Sequence, residues 1–136
     1  MKEVFPWLEQ QRIPATLFIN GKYLDGKSYR KNPQEKYLAH DELFALTSPL
    51  IEIGSHGWEH MDAVKMSARE FEEYMRKNIE VLSKHPRYIP FHAYTWGRHS
   101  AETDAHLQYS GITPVYIDGM KNFNDKDKIH RELLDQ

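Results

Sequence analysis

Three short apolar runs constrain this chain most: Ala15-Thr-Leu-Phe-Ile19, Leu50 to Gly54, and Thr113-Pro-Val-Tyr-Ile-Asp118. Each is rich in β-branched or aromatic residues. Continuous runs of this kind suit strands covered on both faces, as in a parallel sheet. Helical segments separate them, and strands that alternate with helices argue for parallel βα units. Crossovers in such units are right-handed almost without exception. At 136 residues the chain has room for one domain and one modest core. It falls short of the roughly 250 residues of a complete eight-stranded α/β barrel.

The punctuation between the runs supports this order. Glu3 to Arg12 reads as a helix with Phe5 and Leu8 on its apolar side, stopped by Pro14. Asp41 is placed to cap a short helix carrying Leu43, Phe44 and Leu46. Ser67 and Glu70 form a capping box. The helix after them extends to about Lys84, with Phe71, Met75, Ile79 and Leu82 as its buried stripe. Tyr88 to Tyr94 reads as another strand. Pro90 cannot donate to a ladder, which puts it in the strand's first turn or makes this an edge strand. Ser100 caps a helix through Tyr109, and Gly111 stops it. The segment from Ile129 to Leu134 reads as the start of a helix or a strand. Catalytic groups in parallel α/β folds gather after the C-terminal ends of the strands. Asn20, Ser55-His56, Thr95-Trp96-Gly97 and Asp118-Gly119 all fall there.

Composition excludes some classes. There is no cysteine, so thiolate catalysis, disulfides and Cys-type zinc sites are out. The net charge is -2 with no long run of one sign, which gives no electrostatic case for nucleic acid or anionic membrane. No run could span a bilayer, and the first residues lack the apolar core of a signal peptide. A soluble protein is expected, with no compartment legible.

Eight histidines are many for this length, and His40, His85 and His106 sit in polar or helix-end contexts that suit a surface. His56 and His60 differ, because they follow the second strand directly. On a helix, residues at i and i+4 share a face about 5–6 Å apart at Cβ, so one ion could be held by both imidazoles. Spacing alone favours two surface histidines over a metal site, since this spacing arises often by chance. The pattern is not the H-E-x-x-H of zincins, since residue 57 is Gly.

The surroundings of this pair resemble a known family. Ile13-Pro-Ala-Thr-Leu-Phe-Ile19 is similar to the "P-A-T-F-F-V" strand of polysaccharide deacetylases with the NodB-homology domain. Ile51-Glu-Ile-Gly-Ser-His-Gly-Trp-Glu-His60 is similar to their "E-I-G-x-H-T-x-x-H" metal motif. Phe91-His-Ala-Tyr-Thr-Trp-Gly97 is similar to their "F-A-Y-P-Y-G" segment. The resemblance runs from about Phe5 to Asp118. It implies a partial (β/α) barrel with four to five parallel strands, forming one truncated deacetylase-like domain. It also implies metal-dependent removal of N-acetyl groups from an amino-sugar polymer. His56 and His60 would hold a divalent metal, zinc being the expected ion. Tyr94, Trp96 and His92 would bind substrate. The Trp96 N–H would join the metal in stabilising the oxyanion.

Departures from the family pattern are as informative. The family's "T-F-D-D-G" strand, which supplies the base and the third metal ligand, has no match before Ile13. Ala93 stands where many members have a base-orienting arginine, and Thr95 where they have proline. The late "L-x-H" motif cannot be placed. His130 is a stand-in for its general acid, or a solvent-facing residue. Asp118 is a ligand, a base or a turn former. His92 faces either the core or the site, and Tyr94 and Trp96 are either an aromatic wall or core. The alternative function is an inactive relative acting as a carbohydrate- or metal-binding module. Unpaired strand edges in a partial barrel predict self-association.

Overall fold

The computed structural model describes residues 4–25, 38–117 and 129–131. Helix α1 (Val4–Gln10) leads into strand β1 (Ala15–Ile19) and a 3-10 turn at Gly21–Tyr23. Helix α2 (His40–Phe44) precedes β2 (Ile51–Ser55), and a 3-10 turn at Ala63–Lys65 precedes α3 (Ala68–Leu82). Then come β3 (Tyr88–Ala93), a 3-10 turn at Thr95–Gly97, α4 (Ala101–Tyr109), β4 (Thr113–Ile117) and β5 (Ile129–Arg131). The five strands pair in chain order and every pair is parallel. The ambiguous segment at Ile129 is thus a strand.

The apolar runs form the sheet because both of their faces are covered. Ile51 and Ile53 on β2 and Val115 on β4 are buried. One apolar cluster joins Phe71, Tyr74 and Met75 of α3 to Tyr94, Leu107 and Tyr116. A second joins Phe5, Leu24, Leu43, Ile51, Ile53 and Leu82. Ser67 caps α3 as expected: its hydroxyl accepts from the Glu70 N–H, and the Glu70 carboxylate accepts from the Ser67 N–H. Gly111 ends α4 at φ +79°, with the Gly111 N–H on Gln108 O and the Ile112 N–H on Leu107 O. That pair of bonds is the Schellman arrangement.

Three expectations need correction. Ala39, not Asp41, is the N-cap of α2. Glu42 reaches back to the Ala39 N–H, and Asp41 sits in the first turn, where its charge suits the helix dipole. Pro90 lies inside a central strand, not at an edge or in its first turn. The sheet accommodates it because pairing between β2 and β3 shifts register between Ile53 and Ser55, and β4 begins to pair only at Phe91. His85 is buried rather than superficial. Its Nδ1 accepts from the Arg87 N–H and its Nε2–H donates to Leu43 O, so both ring nitrogens are used by a neutral imidazole.

Register sets the functional edge. β1 and β2 run level from Ala15–Ile51 to Ile19–Ser55, and the His56 N–H donates to Ile19 O at 2.9 Å, extending the ladder by one step. Asn20 and His56 therefore leave the sheet side by side.

These packing relations give a contrast that equilibrium denaturation can check. Leu82→Ala, at a fully buried position, is expected to lower stability by about 2–5 kcal/mol. Arg76→Ala, which removes exposed ion pairs to Glu73 and Glu80, is expected to leave the unfolding midpoint nearly unchanged.

Candidate functional site at the sheet edge

His56 and His60 do come together, with ring centroids 5.2 Å apart and planes at 52°. They do not do so on a helix: residues 56–62 carry no helical structure. A tight loop replaces the expected helical turn. Gly57, at φ +89°, makes the bend. A Cβ there would lie 2.1 Å from the Tyr74 hydroxyl, so glycine is required by both conformation and space.

Two side chains and one backbone N–H from outside this loop pin it. Asn20 Nδ2 donates to the carbonyls of His56 (2.8 Å) and Gly57 (3.0 Å). The Lys22 N–H donates to Trp58 O at 2.9 Å. The Tyr74 hydroxyl, from α3, donates to the Glu59 carbonyl. Burial pushes the Tyr74 phenol up from its ordinary value, which keeps that donor protonated.

The orientation of His56 follows from one bond. Its Nδ1 lies 2.7 Å from the Ala93 carbonyl oxygen. A carbonyl only accepts, so Nδ1 carries the proton and Nε2 the lone pair of the neutral ring. A backbone carbonyl on the far nitrogen is the usual way a metal-binding histidine is oriented. The two imidazoles therefore fit a divalent ion in chemistry and in spacing. Among the described residues no group of three or more His, Asp or Glu side chains is gathered to complete such a site.

Beneath the pair lies a buried polar cluster centred on Ser55. Its Oγ accepts from the Gly57 N–H (3.1 Å) and from Asn78 Nδ2 (2.9 Å). With both lone pairs used, its O–H donates to His92 Nδ1 at 3.0 Å. His92 is thereby a neutral ring with its proton on Nε2. Asn78 also donates to Ile19 O (2.9 Å) and accepts from the Gly21 N–H (2.7 Å).

The residues expected at the substrate surface divide. His92 is 1% exposed and Tyr94 is 0% exposed. Both are enclosed, with His92 edge-on to Tyr94 at 5.0 Å, so neither lines an open wall. The Tyr94 hydroxyl donates to Asp104 at 2.7 Å, and burial, with that carboxylate beside it, holds the phenol protonated far above its ordinary range. Trp96 is 62% exposed and stands edge-on to His60 at 5.2 Å. Its φ of 55° is left-handed, a conformation that costs an aromatic residue about 1–3 kcal/mol. Arg98 Nε meets the buried Asp62 carboxylate at 2.7 Å and ties this turn to the histidine loop. The Asp118 position and the His130 side chain lie outside the described residues. The backbone of His130 is opposite Tyr116 in the β4–β5 register.

Sequence reasoning missed Asn78 and Tyr74. Both lie on the buried stripe of α3, with Phe71, Met75 and Leu82. A polar residue between two apolar stripe positions was the available signal.

Comparison with known proteins decides the family. The model of the polysaccharide deacetylase family matches residues 1–115. The chain belongs to the polysaccharide deacetylase family. Its fold is shared with solved deacetylase-type structures. IcaB from Ammonifex degensii is 19% identical with a TM-score of 0.72, the match covering 98% of this chain and 62% of that one. The BpsB deacetylase domain from Bordetella bronchiseptica is 17% identical with a TM-score of 0.74, over 98% of this chain and 66% of that one. A de-N-acetylase from Aggregatibacter actinomycetemcomitans is 20% identical with a TM-score of 0.68, over 97% and 64%. This polysaccharide deacetylase chain thus spans about 62% of the length of IcaB. A comparison with curated proteins returns no match.

The Asn78 amide is expected to be the most sensitive polar group. Asn78→Leu leaves the Gly21 N–H and the Ile19 carbonyl without their side-chain partner, at about 1–3 kcal/mol for each group left unpaired. Denaturant unfolding should show a loss on the order of 3 kcal/mol, larger than for Ser67→Ala at an exposed cap, at about 1 kcal/mol.

Proposed function

We propose that this chain carries the histidine part of the site of a metal-dependent hydrolase that removes N-acetyl groups from an amino-sugar polymer. One observation carries the reading: the His56 ring, oriented by the bond from its Nδ1 to Ala93 O, lies beside the His60 ring with centroids 5.2 Å apart. His56 and His60 would hold the ion, and zinc is the ion we would test. When bound, the metal supplies Lewis-acid polarisation of the amide carbonyl and a lowered water pKa.

The chain's own residues do the rest. Trp96 offers an exposed aromatic face beside His60 on which a sugar ring can stack. Its backbone N–H would serve as a donor for charge developing on the carbonyl oxygen. Asn20, Tyr74 and the Asp62–Arg98 pair hold the two loops while this happens. A third ligand and a base are still needed, since catalytic zinc sites commonly use three protein ligands. Asp118, which follows β4 in the sequence, is the first residue to test for either role. The comparisons support the family and the fold, and substrate and metal rest on the geometry above.

Metal analysis of the purified chain, alone and with His56→Ala plus His60→Ala, tests the site. About one zinc per wild-type chain is expected and almost none in the double variant. Equal content in both would sink the metal site. The activity is read as free amine released from N-acetylglucosamine oligomers, lost on chelation and restored by zinc. Metal uptake with oligomer binding but no amine release would favour the binding-module reading.

We also propose self-association, because β1 and β5 are open sheet edges among the described residues. Sedimentation should give a mass above 16.1 kDa. A single well-folded species at the monomer mass would contradict it.

A further inference from the structure

We propose that Asp104 is a positioning residue for the substrate platform at Trp96, acting without touching the substrate. The inference rests on the deacetylase reading above and adds a residue that the family motifs do not assign.

Trp96 is held in a left-handed conformation on the turn between β3 and α4. Such a conformation persists only where its surroundings over-determine it. Here the flanks do so through one carboxylate. The Tyr94 hydroxyl donates to Asp104 Oδ1 at 2.7 Å. His99 Nδ1 meets Asp104 Oδ2 at 2.9 Å. Tyr94 precedes the Thr95–Arg98 arch and His99 follows it, so both feet of the arch stand on Asp104.

The rings reinforce the clamp. His99 stacks on Tyr94 with centroids 5.5 Å apart and leans on Tyr116 at 4.5 Å. Asp104 itself is on a rigid element, in the first turn of α4. Ser100 and Thr103 close that turn with reciprocal hydrogen bonds. The arch has one further tie, from Arg98 to Asp62 in the histidine loop. Between these fixed points the exposed Arg98 side chain is tethered to Asp62, whereas the Trp96 side chain projects outward with no polar tie of its own to the scaffold among the described residues. Its edge-on placement against His60 is therefore set by where Asp104 holds the two feet. Sites built this way need their supporting groups placed to within about half an ångström. The ligand is the one of the deacetylase reading, a sugar ring carrying the group to be hydrolysed, for which the exposed indole beside the two imidazoles offers a stacking face.

The experiment compares Asp104→Ala with Ser100→Ala. The second loosens the same helix end but leaves both Asp104 bonds intact. Trp96 emission is isolated by subtracting a Trp96→Phe spectrum from each protein's spectrum, and the substrate is the N-acetylglucosamine tetramer. Asp104→Ala should red-shift the Trp96 emission and raise KM about tenfold, with kcat changed less than about twofold. Ser100→Ala should move neither. His99→Gln and Tyr94→Phe, each releasing one foot, should give smaller shifts in the same direction. An active protein whose KM and Trp96 emission are unaltered by Asp104→Ala overturns this inference alone. So does Ser100→Ala reproducing the KM change, since Asp104 would then act only through helix stability. A wild type that neither binds nor hydrolyses the tetramer overturns the deacetylase reading and this inference with it.

Discussion

The side-chain amide of Asn78 is the interaction on which the functional edge depends. One donor and one acceptor group, delivered from the middle of α3, meet the end of β1, the turn after it and the last residue of β2. Where strands end, backbone groups lose their ladder partners, and a buried end must find others. A water could serve at the surface. Here the place is enclosed, so a side chain does it, and it links the strand ends to the helix behind them. Ser55 passes the constraint on, to Gly57 on one side and His92 on the other. The loop that carries the two outward histidines is thus built on a satisfied polar cluster rather than on apolar packing alone.

Much of the architecture was legible because it rests on local signals. Ala15 to Ile19 is a strand with the boundaries its composition implies, Ser67 and Ser100 start their helices through their hydroxyls, and Gly111, lacking a side chain, takes the left-handed stop. The parallel sheet followed from the continuous apolar runs. What local patterns could not give was long-range compensation. Pro90 is acceptable in a central strand only because the register of its neighbour shifts there. His85 is buried because a carbonyl from α2, forty-two positions earlier in the chain, accepts from it.

The site shows the same division. The histidine pair was visible from its spacing and its place after β2. The means of joining it was misread, since a glycine bend rather than a helical turn brings the rings together. For His92 and Tyr94 the sequence left core and site equally open, and the structure turns both rings toward α3 and its Phe71 ring. Trp96 stays outside because its backbone is left-handed, a property no residue count reveals. Asn78 and Tyr74 read as interruptions of a stripe, though they link that stripe to the site.

The pair formed by Gly57 and Tyr74 has a consequence for how this lineage can change. The family motif writes threonine where this chain has Gly57. The room a side chain would need there is filled by the Tyr74 ring and hydroxyl. Shrinking Tyr74 alone would open the space but leave a backbone that disfavours any side chain. Restoring a side chain at 57 alone would meet the ring. A side chain at 57 is therefore tolerated only together with a change at Tyr74, so the two positions are coupled. In this branch the tyrosine and the glycine are expected to be inherited together.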